Sequence, residues 1–238
     1  MALFTGDLAA AETYVAMLLD SSAAHALPIW RAGGYGFHGS LLIKNGDFDT
    51  GLRLLRTALE QPPEASFQPG FMWFLGELAE GLGRAGQIAQ GLETVDEALA
   101  RSERNEDRWY VAELLRIKGE LLLLQRKYGA AAAAEDHYQQ AFGWARRQGA
   151  LSWELRAATS LARLLRDQNQ STEAVALLAP IYNRFTEGFE TADLKAAKAL
   201  IDGLYNSKGT SQSPLMDAPP KAAAIVELHP ATARRRLT

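Results

Sequence analysis

The sequence predicts an all-α protein: a right-handed α-solenoid of antiparallel helix pairs over residues 1–206, closed by a C-terminal capping helix. Three observations predict it. Apolar residues recur at three- and four-residue steps, as at Leu155, Ala158, Leu161, Ala162 and Leu165, which places them on one helical face. Turn-forming residues recur at a fixed interval, with Gly6, Gly46, Gly86 and Arg126 spaced 40 residues apart and Asn169 following 43 later. Small residues flank these marks in register: Ala11, Gly51, Gly91, Ala131 and Ala174 five positions after, and Gly39, Ala79, Gly119 and Ala162 seven before. Small residues at both offsets let paired helices approach closely. The bulky Leu8, Phe48, Ile88 and Tyr128 two positions after the mark, with Ser171 as the exception, are expected to fill the space beside the turn. A helix pair with an apolar stripe on each helix cannot bury both alone, so such units stack.

Each element follows from this register. Asp7–Asp20 reads as the second helix of a pair whose first partner is missing, leaving an apolar edge at Leu8, Val15 and Leu18 open to self-association. Pro28 suits the first turn of the next helix, which runs to about Asn45. Phe48–Glu60 is its partner, ended by Pro62-Pro63. Helices over 68–84 and 88–103, then 107–125 and 129–147, form the next two units. The alanine run from Ala130 to Ala134 is expected to absorb the three extra residues of the longer step by lengthening its helix. Helices over 150–167 and 171–187 complete the fifth unit, with Ser171 as an N-cap and Thr172 and Glu173 in the first turn. Thr191–Asn206, with Leu194, Ala197, Leu200, Ile201 and Leu204 on one face, is the cap.

Composition narrows the class. The 238 residues are 47% hydrophobic, ample for a core, and carry a formal net charge of −3, which gives no strong pull toward nucleic acid or anionic membrane. Without cysteine there are no disulfides or thiolate metal sites. The start, Met1-Ala2-Leu3-Phe4-Thr5-Gly6-Asp7, lacks the basic-then-apolar pattern of a secretory signal, and no run of about 18 apolar residues exists to span a membrane. A cytoplasmic protein is expected. Residues 207–238 change character, with Gly209, Pro214, Pro219, Pro220 and Pro230 and five basic against two acidic side chains; a flexible basic tail is expected there.

Residues that resemble chemical motifs do not assemble into a reaction. Gly34-Tyr35-Gly36-Phe37-His38-Gly39 matches the G-x-G-x-x-G string, but that loop requires a strand before it, and here the register places it inside a helix. Its glycines predict a locally weak helix, since an interior glycine costs about 1 kcal/mol relative to alanine. Gly39 has its packing offset as a reason; Gly33, Gly34 and Gly36 have none. His25, His38, His137 and His229 share no metal-ligand spacing, and neither a shielded carboxylate pair nor a nucleophile elbow is present. No catalytic, cofactor or metal residue is assigned. Trp30 and Trp153 share one register position, with Trp109 one residue off it, and read as packing at the start of first helices.

The surface left for function is the concave face, lined by the first helix of each unit. In register it carries Trp73, Arg84, Glu113, Arg116, Glu120, Arg156, Arg163 and Arg166. Arg156, Arg163 and Arg166 share a helical face, and such a row is expected to clamp the carboxylates of an acidic partner.

The small–turn–large–small pattern resembles the tetratricopeptide repeat over roughly residues 5 to 187, with longer helices than that family's usual unit. Longer strings carry a narrower resemblance: Glu106-Asp107-Arg108-Trp109-Tyr110 with Glu113-Leu114-Leu115-Arg116 and Gly119-Glu120-Leu121-Leu122; Ser152-Trp153-Glu154-Leu155-Arg156 through Leu164; and Phe185-Thr186-Glu187-Gly188-Phe189 with Asp193 through Leu200. These resemble the C-terminal repeat region of bacterial regulators in which a winged-helix or class III adenylate cyclase domain precedes a STAND-type ATPase. The resemblance implies a non-catalytic sensor or interaction module acting on a protein or peptide partner, an attached ATPase, cyclase or DNA-binding module among them. No G-x-x-x-x-G-K-[ST] phosphate loop is present. The alternatives left open are an enzyme with a site inside the superhelix and a weak nucleic-acid binder acting through the tail.

Overall fold

The computed structural model describes residues 2–60 and 71–210, with backbone alone for 207–210. Among the described residues there are eleven helices and no strand: α1 Ala2–Thr5, α2 Leu8–Ala24, α3 Pro28–Lys44, α4 Phe48–Leu59, α5 Phe71–Arg84, α6 Ile88–Arg104, α7 Val111–Leu124, α8 Ala130–Arg147, α9 Leu151–Asp167, α10 Ser171–Tyr182 and α11 Ala192–Thr210. They form an α-solenoid of antiparallel pairs. The first helices α3, α5, α7 and α9 and the cap α11 touch one another in succession as an inner layer. The outer helices α4, α6, α8 and α10 each pack between two successive inner ones.

The register marks have a backbone cause. Gly6, Gly46, Gly86, Arg126 and Asn169 all adopt positive φ, at 80°, 93°, 81°, 51° and 64°. The left-handed residue lets the amide after it reach back to the helix it ends. Asp47 N–H donates to the Leu42 carbonyl and Gly46 N–H to Ile43, and the Gly86 and Asn169 turns repeat this paired pattern. A second set, Ala26, Glu106 and Gly149, turns the chain between units in the same way. Asp7 and Asp47 then cap α2 and α4 by accepting from the amides three residues on.

The small-residue offsets mark helix contact. A Cβ on Gly39 would lie 2.7 Å from the Gly51 carbonyl oxygen, and one on Gly51 2.8 Å from that of Gly39, so each glycine admits the other's backbone. Deeper in each outer helix, Val15, Leu55, Val95, Tyr138 and Leu178 form one buried row through all five units. Full burial of each such aliphatic side chain stabilises the fold by about 2 kcal/mol.

Several expectations are corrected. The three extra residues do not lengthen α8 by a turn: Lys127-Tyr128-Gly129 form the turn ahead of it, with Gly129 at φ 78°. The packing face of α8 is therefore displaced by three. Ala134 is buried where Ala131 was expected, Ala131 is exposed, and Tyr128 projects into solvent rather than filling space beside the turn. Ser171 is the first helical residue and not the cap, because Gln170 holds that position without a side-chain bond. The helix that it opens ends at Tyr182, two residues past Pro180, whose ring removes a donor near its end. Gly34 and Gly36 are packing glycines: a Cβ would come within 2.7 Å of Leu19 and 2.5 Å of the Phe74 ring. Gly33, facing open space, has no such reason.

At the N-terminus the single turn α1 precedes α2, and Val15 is buried, with Leu8 and Leu18 half-buried. The edge is covered more than expected, and its exposed apolar side chains are Tyr14 and Met17. At the other end α11 continues through Thr210, four residues beyond the boundary read at 206. The tail from 211 and the Pro62-Pro63 break lie outside the described residues.

Candidate functional site: the inner face

The inner helices run parallel, so residues at one register position line up as layers across them. Their N-terminal turns supply aromatic rings. Trp73 on α5 is buried and stacks at 5.2 Å, centroid to centroid, on Phe37 of α3 and on Phe4 of α1. Phe4 also meets Trp153 of α9 edge-on at 5.9 Å, and Trp153 meets Tyr110 at 5.5 Å. Thus α1 reaches across the inner face from α5 to α9. Gly6 then sits so close to α11 that a Cβ on it would lie 2.7 Å from that of Ala192. A cavity of about 410 Å³ beside Phe4 and Trp153 ends at Arg156 and Asp193.

One to two turns further along the same helices the layer becomes ionic. Arg116 on α7 is buried and bridges three carboxylates, donating to Glu113 at 2.8 Å, Glu120 at 3.3 Å and Glu80 of α5 at 3.4 Å. Arg156 on α9 reaches the same Glu113 at 2.6 Å and Asp193 of α11 at 3.6 Å. Ser160 donates to Glu120 at 2.7 Å, and Lys44 of α3 pairs with Glu77 of α5 at 3.1 Å. The network ties four successive inner helices, α5, α7, α9 and α11, with charge-assisted bonds.

Burial sets the protonation of these groups. Burial alone would raise the Glu113 carboxyl, but Arg116 and Arg156 together outweigh it and hold it below the ordinary carboxylate range. Arg116 is likewise held well above its usual value by Glu113 and Glu80 despite the cost of burial. Glu77 goes the other way: burial raises it, and Lys44 offsets only part of that. Asp193 is raised by burial too, with Arg156 pulling against it. The inner face therefore holds carboxylates of opposite tendency within one network.

The eight residues read from the sequence divide into four groups. Glu113, Arg116, Glu120 and Arg156 are brought together in the network. Trp73 belongs to the aromatic layer, and Arg84 and Arg163 line the open end of the groove. Arg166 leaves the row, because near the end of α9 its guanidinium turns to Asp167 at 2.9 Å. Of the expected row of Arg156, Arg163 and Arg166, Arg156 is engaged by internal carboxylates and Arg166 by Asp167, while Arg163 lines the groove. The packing role read for Trp30 fails as well, since that ring is 59% exposed, whereas Trp153 packs as expected.

Sequence reasoning missed Phe4, Lys44, Glu77, Glu80, Ser160 and Asp193. The register held a usable signal for some: Glu80, Glu120 and Arg163 each stand six positions before the turn mark. Among the described residues no group of His, Asp and Glu is arranged to hold a metal ion, and no helix is long and apolar enough to cross a membrane. The G-x-G-x-x-G string lies within α3, with no strand before it.

The fold is that of a tetratricopeptide-like helical repeat. The solved structures of this kind to which the chain is similar include BtubC (BKLC) from P. vanneervenii, with a TM-score of 0.51 at 18% identity over 96% of this chain and 100% of that one. Also similar is a Podospora anserina putative kinesin light chain with nearly identical TPR-like repeats. Its TM-score is 0.51 at 18% identity, covering 76% of this chain and 88% of that one; its Q17M form gives 0.52. No family model and no curated protein matches the chain.

Proposed function

We propose that this chain is a non-catalytic protein-interaction module that holds a segment of a partner protein along its inner face. The observation that carries the reading is the inner face itself. It already accommodates one short segment of this chain, α1, whose Phe4 lies between Trp73 and Trp153. Beside that seat, open cavities of about 410 and 490 Å³ continue along the same helices. Those sizes suit a few side chains of an extended or helical segment. The carboxylates of the inner face are mostly tied to arginines, which suits a rigid binding surface better than proton transfer.

The setting of the module is part of the same proposal. The resemblance of the 106–122, 152–164 and 185–200 strings to the repeat region of bacterial STAND-type regulators supports a cytoplasmic signalling or transcriptional role. There the module would bias an attached ATPase, cyclase or DNA-binding module between two states through differential contacts. Immunoblotting of the source cells with antiserum to residues 105–205 tests the setting. A band several times larger than 26.0 kDa is expected, and a band at that mass overturns the attachment.

A photo-crosslinking residue at Ala196, half-buried on the groove side of α11 beside Arg156 and Arg163, compared with one at the exposed Gln139 on the outer side, tests the binding surface. Capture of a partner from Ala196 and not from Gln139 is expected. Equal capture from both, or capture from Gln139 alone, overturns the groove reading. One observation favours the second reading, an enzyme: Glu77 is a buried carboxyl raised above its ordinary range beside Lys44. That reading requires Glu77→Gln to abolish a turnover that leaves the partner complex intact.

A further inference from the structure

The open end of the inner face is a cavity of about 490 Å³ between the last turns of α5 and α7 and the middle of α9. Its lining has an unequal charge balance. Of its carboxylates, Glu80 is bonded to Arg116, and Glu120 to Arg116 and Ser160. Arg84, Arg126 and Arg163 on its rim are exposed, and none forms an ion pair among the described residues, although the Arg84 guanidinium lies over the Phe48 ring, 5.3 Å from its centroid. Below them the floor is apolar, made by Ile117, Leu121, Leu123 and Leu124, of which Leu124 is 47% exposed.

Two departures from the repeat pattern create this rim. At the turn mark, where three units have glycine, the fourth has Arg126 at φ 51°, a conformation unfavourable for a residue with a Cβ. At the position six before the mark, two units carry Glu80 and Glu120, but the fifth carries Arg163. Together they convert an otherwise balanced surface into a basic rim over an apolar floor.

We infer that this cavity docks a partner segment in which carboxylates flank a leucine-like apolar side chain, with Arg84, Arg126 and Arg163 receiving the carboxylates. The inference rests on the inner face being the protein-binding surface and names the chemistry of its partner. Guanidinium forks match carboxylates in two-point geometry, and the leucine floor removes the intervening side chain from water. A nucleic acid fits less well: among the described residues no aromatic ring lines the cavity to stack a base, and Glu80 and Glu120 oppose a phosphate track.

Fluorescence anisotropy with the full chain and three labelled twelve-residue peptides tests it: repeats of Leu-Glu-Glu, of Leu-Gln-Gln and of Ser-Glu-Glu. Only the Leu-Glu-Glu peptide is expected to bind well, about tenfold or more tighter than either control, as loss of charge-assisted bonds implies. Arg163→Glu is expected to weaken it about tenfold, and Arg166→Glu, the same charge change outside the cavity, less than about twofold. Arg126→Gly is expected to raise Tm while weakening binding, a split that a purely structural arginine would not give.

Binding of Leu-Gln-Gln as tight as Leu-Glu-Glu, an Arg166→Glu effect equal to that of Arg163→Glu, or tighter binding of a single-stranded oligonucleotide each overturns the inference. No binding of Leu-Glu-Glu overturns it too. The groove reading survives all of these outcomes if Ala196 still captures a partner, and falls with the inference if it does not.

Discussion

The two layers of the inner face meet the same problem, an inner surface shared by several helices, and solve it in opposite ways. The aromatic layer is closed. Phe4 of α1 sits between Trp73 and Trp153, and its rings hold one another by area and edge-to-face geometry. The ionic layer is held by directional bonds that converge on Glu113 and Arg116, and at its far end it stays open, with arginines that form no ion pair among the described residues. Apolar packing tolerates any neighbour of suitable shape, whereas buried charge requires a specific partner for every group. The first layer is thus suited to stability and the second to selection.

Removing the centre of the aromatic layer is the strongest way to break this contrast. Trp73→Ala is expected to cost about 4 kcal/mol in urea denaturation, since the ring is buried and contacts α1, α3 and α5 at once. A loss below about 1 kcal/mol would mean that the layer does not hold the stack. Next, Glu113→Ala leaves Arg116 and Arg156 facing each other without their shared carboxylate. About 3 kcal/mol is expected, and the contrast fails if this variant is as stable as the parent.

Acid sharpens the same point. Glu113 is depressed in the folded state, so its stabilisation is fully present above its unfolded value of 4.5 and is lost as pH falls through the lower folded value. Replacing it by glutamine should flatten the stability profile below pH 4.5 relative to the parent; parallel profiles would assign the acid sensitivity elsewhere.

Gly36→Ala places a methyl 2.5 Å from the Phe74 ring and is expected to destabilise by about 2 kcal/mol. The same change at Gly33, where nothing lies within 4 Å, should be neutral or stabilising. The smallest loss is expected for Phe4→Ala, at about 1 kcal/mol for a half-buried ring. Its signature is increased acrylamide quenching of tryptophan fluorescence as α1 releases its hold; unchanged quenching would mean that α1 does not shield the aromatic layer.

Legibility followed sequence distance. Helix pairing and the turn marks were readable, because each depends on spacing within one unit. The three-residue insertion was legible in the 40-to-43 change of step, but its place was not. An alanine run and a turn centred on Gly129 compete for it, and only the burial of Ala134 over Ala131 decides. For the site, Glu113, Arg116, Glu120 and Arg156 were found through register. The partners Glu77, Glu80, Ser160 and Asp193 were not, because a carboxylate's counter-ion one unit away leaves no mark in local pattern.

By itself the sequence determined the repeat, its helix pairs and the layer facing inward, since periodicity and turn chemistry act over a few residues. Tertiary structure decided which inward charges neutralise one another and which stay open. It withdrew Arg156 and Arg166 from the expected arginine row and brought Arg84, Arg126 and Arg163 to one cavity. The physical reason is range: hydrogen-bonded turns and apolar stripes are local, while ion pairing depends on distances that only the stacking of whole units creates.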